Sequence, residues 1–209
     1  VDCFSVQNYQ SVPNPASFQI TSGEPLRWVA VLPTYIGSDD TFRLSFKVDD
    51  SWGNPCNGRG QTLKLKSNMP VLGLPETVCF EPGKKAYVIE GLKTDDIGCL
   101  TVSLSNEDGI ELVTSNPMRI RHNADLRHFW GDLHGQSAET VGTNTARDYF
   151  QFALDLSFLD ITAHQGNDFQ ITESFWQELN RLTHEFTNPN RFVVLPGYEW
   201  SGNTNLGGD

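Results

Sequence analysis

With 209 residues, of which 38% are hydrophobic and 20% charged, the chain has the make-up of a folded globular protein, and neither a disordered tract nor a fibrous repeat is indicated. Its net charge of −11 is unevenly spread: residues 1–125 hold 11 Lys and Arg against 15 Asp and Glu, whereas residues 126–209 hold 4 Arg, no Lys and 11 Asp and Glu. Clustered cations for a nucleic-acid surface are missing, so no nucleic acid is expected as a partner; no apolar run approaches the roughly 18–20 residues that cross a bilayer, so no membrane insertion is expected.

From residue 1 to about 124 the chain reads as β-structure. Arg27–Leu32, Thr41–Val48, Gln61–Lys66, Ala86–Glu90 and Cys99–Leu104 alternate apolar and polar residues, with turn-forming stretches such as Asp49–Pro55, Glu81–Gly83 and Asn106–Gly109 between several of them. A period of two buries one sheet face and wets the other, which predicts an antiparallel β-sandwich of immunoglobulin-like kind. Phe42, Leu44, Phe46 and Val48 share one strand face and are expected in its core. Trp28 and Trp52 read as core aromatics, with sugar-stacking platforms as the other option. Cys3, Cys56, Cys79 and Cys99 contain no C-x-x-C. That spacing disfavours a zinc knuckle and leaves two readings, two disulfides of an exported protein or four reduced, buried thiols. The start Val1-Asp2-Cys3 fits a removed leader or a trimmed chain, and with the cysteines it leans toward an exported or periplasmic location.

Met118–Arg121 reads as a last strand and Asn123–Asp125 as a linker, which divides the chain into residues 1–124 and 125–209. Beyond it the period changes to 3.6. A helix is predicted over 144–156, with Thr143 or Asn144 as N-cap, and another over 174–186, with Ser174 and Gln177 as a capping box. Apolar strands are expected at 130–134, 159–163 and 191–196. Strand–helix–strand–helix–strand predicts a parallel α/β sheet or barrel, whose sites lie at the carboxyl ends of the strands.

Those ends carry the chemistry. Phe129–Ser137 places Asp132, His134 and Gln136 at every second position, on one face of an extended strand. His164 ends the second strand and Glu199 follows the third. Two imidazoles and a carboxylate from separate strands suit a divalent metal ion, zinc, manganese or iron, which lowers the pKa of bound water and polarises an ester or phosphoryl oxygen. His134, His164 and Glu199 are thus the expected metal ligands. Gln136, as a weak or substrate-facing fourth group, and Asp168, as a proton carrier, are the expected catalytic residues. Asp132 suits either orienting a ligand histidine or capping a turn. Glu139 reads as a loop acid and Arg147 as a partner in a helix-surface salt bridge.

Gly131-Asp-Leu-His-Gly-Gln-Ser137 resembles the opening D-L-H-x-H-[ST] motif of the PHP (polymerase and histidinol phosphatase) superfamily. The run Phe129–Asp209, with Gly166-Asn-Asp-Phe-Gln and Pro196-Gly-Tyr-Glu-Trp-Ser-Gly-Asn, is similar to that superfamily's branch of large uncharacterised bacterial proteins. The resemblance implies a distorted β/α barrel, a multinuclear metal site and hydrolysis of phosphoesters, with His134, His164 and Glu199 in ligand positions. Gln136 departs from the motif's second histidine, and the chain stops after three strands of this type. The expectation is therefore a two-domain α+β protein, an immunoglobulin-like sandwich (1–124) followed by the truncated first part of a PHP-type β/α barrel (125–209), which the rest of its own chain or a second subunit completes. Its expected function is that of a metal-dependent hydrolase for a small-molecule ester or phosphoester, inactive as this fragment. The alternative is a non-catalytic binding module for a glycan or protein, with a degenerate PHP-like domain.

Overall fold

In the computed structural model, which describes residues 19–122 and 126–200 together with Asn14, Ala16 and Ala124, the period-two segments form ten strands. They are β1 (Arg27–Val31), β2 (Tyr35–Gly37), β3 (Phe42–Asp49), β4 (Gln61–Ser67), β5 (Thr77–Phe80), β6 (Ala86–Leu92), β7 (Gly98–Leu100), β8 (Val102–Ser105), β9 (Glu111–Thr114) and β10 (Met118–Arg121). Their sheets run β1-β3-β6, β2-β10-β7 and β5-β4-β8-β9. Every pairing in them is antiparallel except β2 with β10, which is parallel. Phe42, Leu44, Phe46 and Val48 of β3 are buried as their alternation predicts, in one apolar cluster with Leu63, Phe80, Leu104 and Met118. Removing each such side chain from water stabilises the fold by about 1.5–3 kcal/mol.

Trp28 is half-buried against this core, edge-on to Phe80 at 5.5 Å, but Trp52 is 87% exposed and is no core residue. Of the cysteines, Cys56 is buried while Cys79 and Cys99 are exposed, and all three are free thiols; Cys3 lies outside the described residues. The Asp49–Pro55 turn closes around Asp50. Its carboxylate accepts the Asn54 side-chain amide and the backbone N–H groups of Gly23, Trp52 and Asn54, at 2.8–2.9 Å. These donors, the Asn54 amide foremost, hold the carboxyl well below the usual carboxylate range.

The later part contains β11 (Gly131–Gly135), α1 (Ala146–Asp155), β12 (Ile161–His164), β13 (Gly166–Asn167), α2 (Glu173–Phe186), β14 (Val193–Leu195) and β15 (Tyr198–Glu199). Strands β11, β12 and β14 form a parallel sheet in that order, and β13 pairs with β15, also in parallel. Ala146, Phe150 and Ala153 of α1 and Phe175, Leu179 and Leu182 of α2 share a second apolar cluster with Phe192 and Val194. Neither helix starts on the expected residue. Thr145 caps α1 in a capping box with Asp148, and Thr172 caps α2 by accepting the Phe175 N–H.

The expected β/α barrel is corrected. The parallel strands make a small open sheet, continued by a two-stranded ladder, and closure would require a ring of tilted, staggered strands. With fifteen strands and two α-helices among the described residues, the protein is mainly β rather than a sandwich followed by a barrel segment.

Polar contacts join the two clusters. Asp160, just before β12, accepts the Arg43 guanidinium of β3 at 2.6 Å and the Trp130 N–H at 2.9 Å. The Trp130 indole donates to Thr34 at 2.7 Å, and Arg127 pairs with Asp40. Arg43 and Asp160 are both largely buried, so losing one partner leaves the other poorly solvated. Asp160→Ala is expected to cost about 1–3 kcal/mol, read as a fall in the urea midpoint. A double-mutant cycle with Arg43→Ala should be non-additive by at least about 0.5 kcal/mol, and strict additivity would remove the pair from the account of stability.

Candidate functional site at the carboxyl ends of the parallel strands

The expected ligands meet only in part. His134 Nε2 lies 3.6 Å from Glu199 Oε2, both side chains being solvent-exposed. His164 is fully buried and turned elsewhere. Its Nδ1 accepts the Gly166 N–H at 3.2 Å, so the ring proton is on Nε2 and donates to Ser137 Oγ at 2.8 Å. Both ring nitrogens are thus used by the protein, and the lone pair a metal would need is already engaged. Among the described residues no group of three histidine, cysteine or acidic side chains is arranged to hold a metal ion.

Irregularity in β11 explains why the one-face reading of Asp132, His134 and Gln136 fails. The register with β12 shifts between Asp132 and Gly135, and such a shift breaks the period of two. Asp132 caps the irregular turn by accepting the His134 N–H at 3.0 Å. Gln136 is held by Thr140, whose hydroxyl donates to Oε1 at 2.6 Å, and contacts Asn167 at 3.5 Å. Gly135 is required here: a Cβ would lie 2.0 Å from the ring of Tyr149. The Tyr149 hydroxyl in turn donates to Thr162, which donates to the Asp132 carbonyl, each at 2.8 Å.

The remaining candidates have local duties. Glu139 accepts the Ala146 N–H at the start of α1. Arg147 forks onto Glu185 of α2 at 2.7 and 2.8 Å, and the Glu185 carboxyl is pushed down to about 2 by that guanidinium first and by Arg181 second. Asp168 accepts the adjacent Phe169 N–H at 2.8 Å and faces solvent at the mouth of a groove.

That groove was missed in the sequence reading. About 550 Å³ in volume, it is lined by Asp168, Phe169, Ile171, Thr172, Glu173, Trp176, Tyr198 and Trp200. Phe169, Tyr198 and Trp200 are 68%, 47% and 75% exposed. Trp176 and Tyr198 stand 6.0 Å apart with their planes at 76°. The available signal was Tyr198-Glu199-Trp200: alternation sends the two aromatics to the groove and the glutamate toward His134.

No family model matches the chain. It is 22% identical over 182 residues to an uncharacterised protein of Chlamydia pneumoniae, covering 84% of this chain and 29% of that relative. The chain thus spans less than a third of the relative's length. Among solved structures it is similar to the D00–D0 domain of intimin, with a TM-score of 0.35 and 11% identity over 49% of this chain and 50% of that one. It is also similar to the ZirS C-terminal domain, with a TM-score of 0.34 and 18% identity over 57% and 88%. The resemblance of Gly131–Ser137 to PHP proteins is therefore corrected, since no family model supports it and the motif's residues do not converge on one centre. The hydrolase and metal-binding assignments that rested on it are corrected with it.

Burial pushes the His164 imidazole below its ordinary value, Glu139 opposing the shift only in part. The unfolded chain protonates His164 near 6.5, so between that value and the lower folded one the unfolded state binds the extra proton. The stability contribution is present above about 6.5 and is lost as pH falls through this window. The melting-temperature advantage of the wild type over His164→Gln should accordingly shrink from pH 7 to pH 5. An advantage independent of pH would show that His164 does not titrate in this way.

Proposed function

We propose that the chain is a non-catalytic binding module whose ligand is taken by the aromatic groove beside α2. One observation carries this reading: four aromatic side chains line one groove together with two carboxylates, and three of the rings, Phe169, Tyr198 and Trp200, are exposed. Exposed aromatic surface of this kind is a recurrent mark of binding sites. The strand-end histidines support the same reading, because His164 is committed to holding the Ser137 and Gly166 turns rather than to chemistry.

Two measurements on the 209-residue chain test it. Backbone amide spectra are recorded against a panel of neutral oligosaccharides and small organic cations, and shifts for at least one probe are expected to centre on Phe169, Trp176, Tyr198 and Trp200. Turnover of p-nitrophenyl phosphate and p-nitrophenyl acetate, with zinc, manganese or iron added, is expected to stay at background. Turnover that is abolished by His134→Ala or Glu199→Gln would overturn the binding-module reading.

A further inference from the structure

The lining of the groove selects a ligand class, an inference that rests on the binding-module reading. Its polar side chains are acceptors or hydroxyls, Asp168, Glu173 and Thr172, and it contains no Lys, Arg or His. The Thr172 hydroxyl is already occupied by the Phe175 N–H and Ser174. On α2 the other acids are matched: Glu178 by Arg181, and Glu185 by Arg147 and Arg181. Among the described residues neither Asp168 nor Glu173 is in an ion pair. Each makes a single hydrogen bond, Asp168 to the Phe169 N–H and Glu173 to the Gln177 amide at 2.9 Å. A carboxylate has room for about four such bonds.

Aromatic faces carry negative charge density and attract cations that approach within about 6 Å. Four rings, two carboxylates without a cationic partner and a surrounding stretch of 4 Arg, no Lys and 11 acids make one continuous environment for positive charge. A neutral sugar is a poorer match. Its hydroxyls need donors as well as acceptors, and beyond the aromatic N–H and O–H groups the lining side chains offer only the Thr172 hydroxyl, already engaged with Phe175 and Ser174. The crossed planes of Trp176 and Tyr198 also form a corner rather than a flat stacking platform. We propose that the groove is a cage for an organic cation of the trimethylammonium class. The rings hold the methyl groups, and Asp168 and Glu173 supply the balancing charge. Trimethylammonium groups occur both as free solutes and as lipid head groups.

The test titrates the whole chain with choline, following tryptophan fluorescence, and repeats the titration with 3,3-dimethylbutan-1-ol, which has the same shape and no charge. Saturable binding of choline is expected, with affinity roughly tenfold or more above the neutral analogue. Trp200→Ala and Tyr198→Ala should each weaken choline binding by roughly three- to tenfold. Glu173→Gln should weaken it and flatten its dependence on salt, while Trp52→Ala, on the far exposed turn, should leave it unchanged. Choline-sensitive cosedimentation with phosphatidylcholine vesicles would assign the cation to a lipid head group, and choline binding without cosedimentation would assign a free solute. Equal affinity for the neutral analogue, or no saturation up to about 50 mM choline, would overturn the cage. Groove shifts with chitotriose or maltotriose but not with choline would also overturn it while leaving the binding-module reading intact; ester turnover at the strand ends would defeat that reading instead.

Discussion

The carboxylate of Asp160 sets the geometry on which the later part of the chain depends. Its backbone N–H donates to the Trp130 carbonyl and its carbonyl accepts the Val193 N–H, so the residue fixes the entry of β12 between β11 and β14. Its side chain then reaches across to Arg43 of β3 while accepting the Trp130 N–H. A guanidinium and a carboxylate this far removed from water gain little against hydrophobic replacements, but either one alone would be costly, so the pair acts as a specificity device. The consequence is directional. The residue before β12 is held to β3, and the carboxyl end of β12, at His164, lies four residues further along. The aromatic groove is lined only by residues between Asp168 and Trp200, with none from β1 to β10.

At those carboxyl ends two environments lie within a few residues. One is dry: His164, Ser137 and Thr162 are buried, His164 bonded to Ser137 and Gly166, and Thr162 to Tyr149 and the Asp132 carbonyl. Such a network rigidifies a turn but leaves nothing for a ligand to take. The other is wet and aromatic, carried by the short helical turn at Asp168–Gln170, the start of α2 and the Tyr198–Trp200 segment. Alternation along β15 keeps them separate, with Glu199 on the His134 side and Tyr198 on the groove side.

The strands and helices were legible because their apolar spacing reports burial directly. Phe42 to Val48 and Phe175, Leu179 and Leu182 are buried where the periods of two and 3.6 put them. The caps were less so, because Thr143, Asn144 and Thr145 all offer an oxygen, and Asp148 three residues on selects Thr145 by answering its backbone N–H. The parallel pairing of β2 with β10 left no mark in the pattern, since it depends on which edge a three-residue strand reaches. The expected metal ligands meet only in part for a sharper reason. Three donors at strand ends make a site only if their side chains converge. The register of β11 shifts between Asp132 and Gly135, while the Gly166 N–H occupies His164 Nδ1. Neither effect can be counted from residue spacing. The aromatic groove went unnoticed because its members come from three segments and Trp176 lies one step off the buried stripe of α2.

The unequal charge of the chain gains a physical meaning from this arrangement. A stretch with 11 acids and 4 Arg repels itself, and Arg147 and Arg181 relieve that repulsion locally at Glu178 and Glu185. Glu173 is stabilised in another way, standing in the first turn of α2, where the helix dipole favours a negative charge. A carboxylate at a helix amino terminus needs no cationic side chain of its own, and so remains available to a cation from outside. Arginine placed in the groove would neutralise Asp168 and Glu173 and cover the rings by stacking on them, which would stabilise the fold and fill the site. Its absence from the lining keeps acidic groups and exposed rings together at the mouth of the groove.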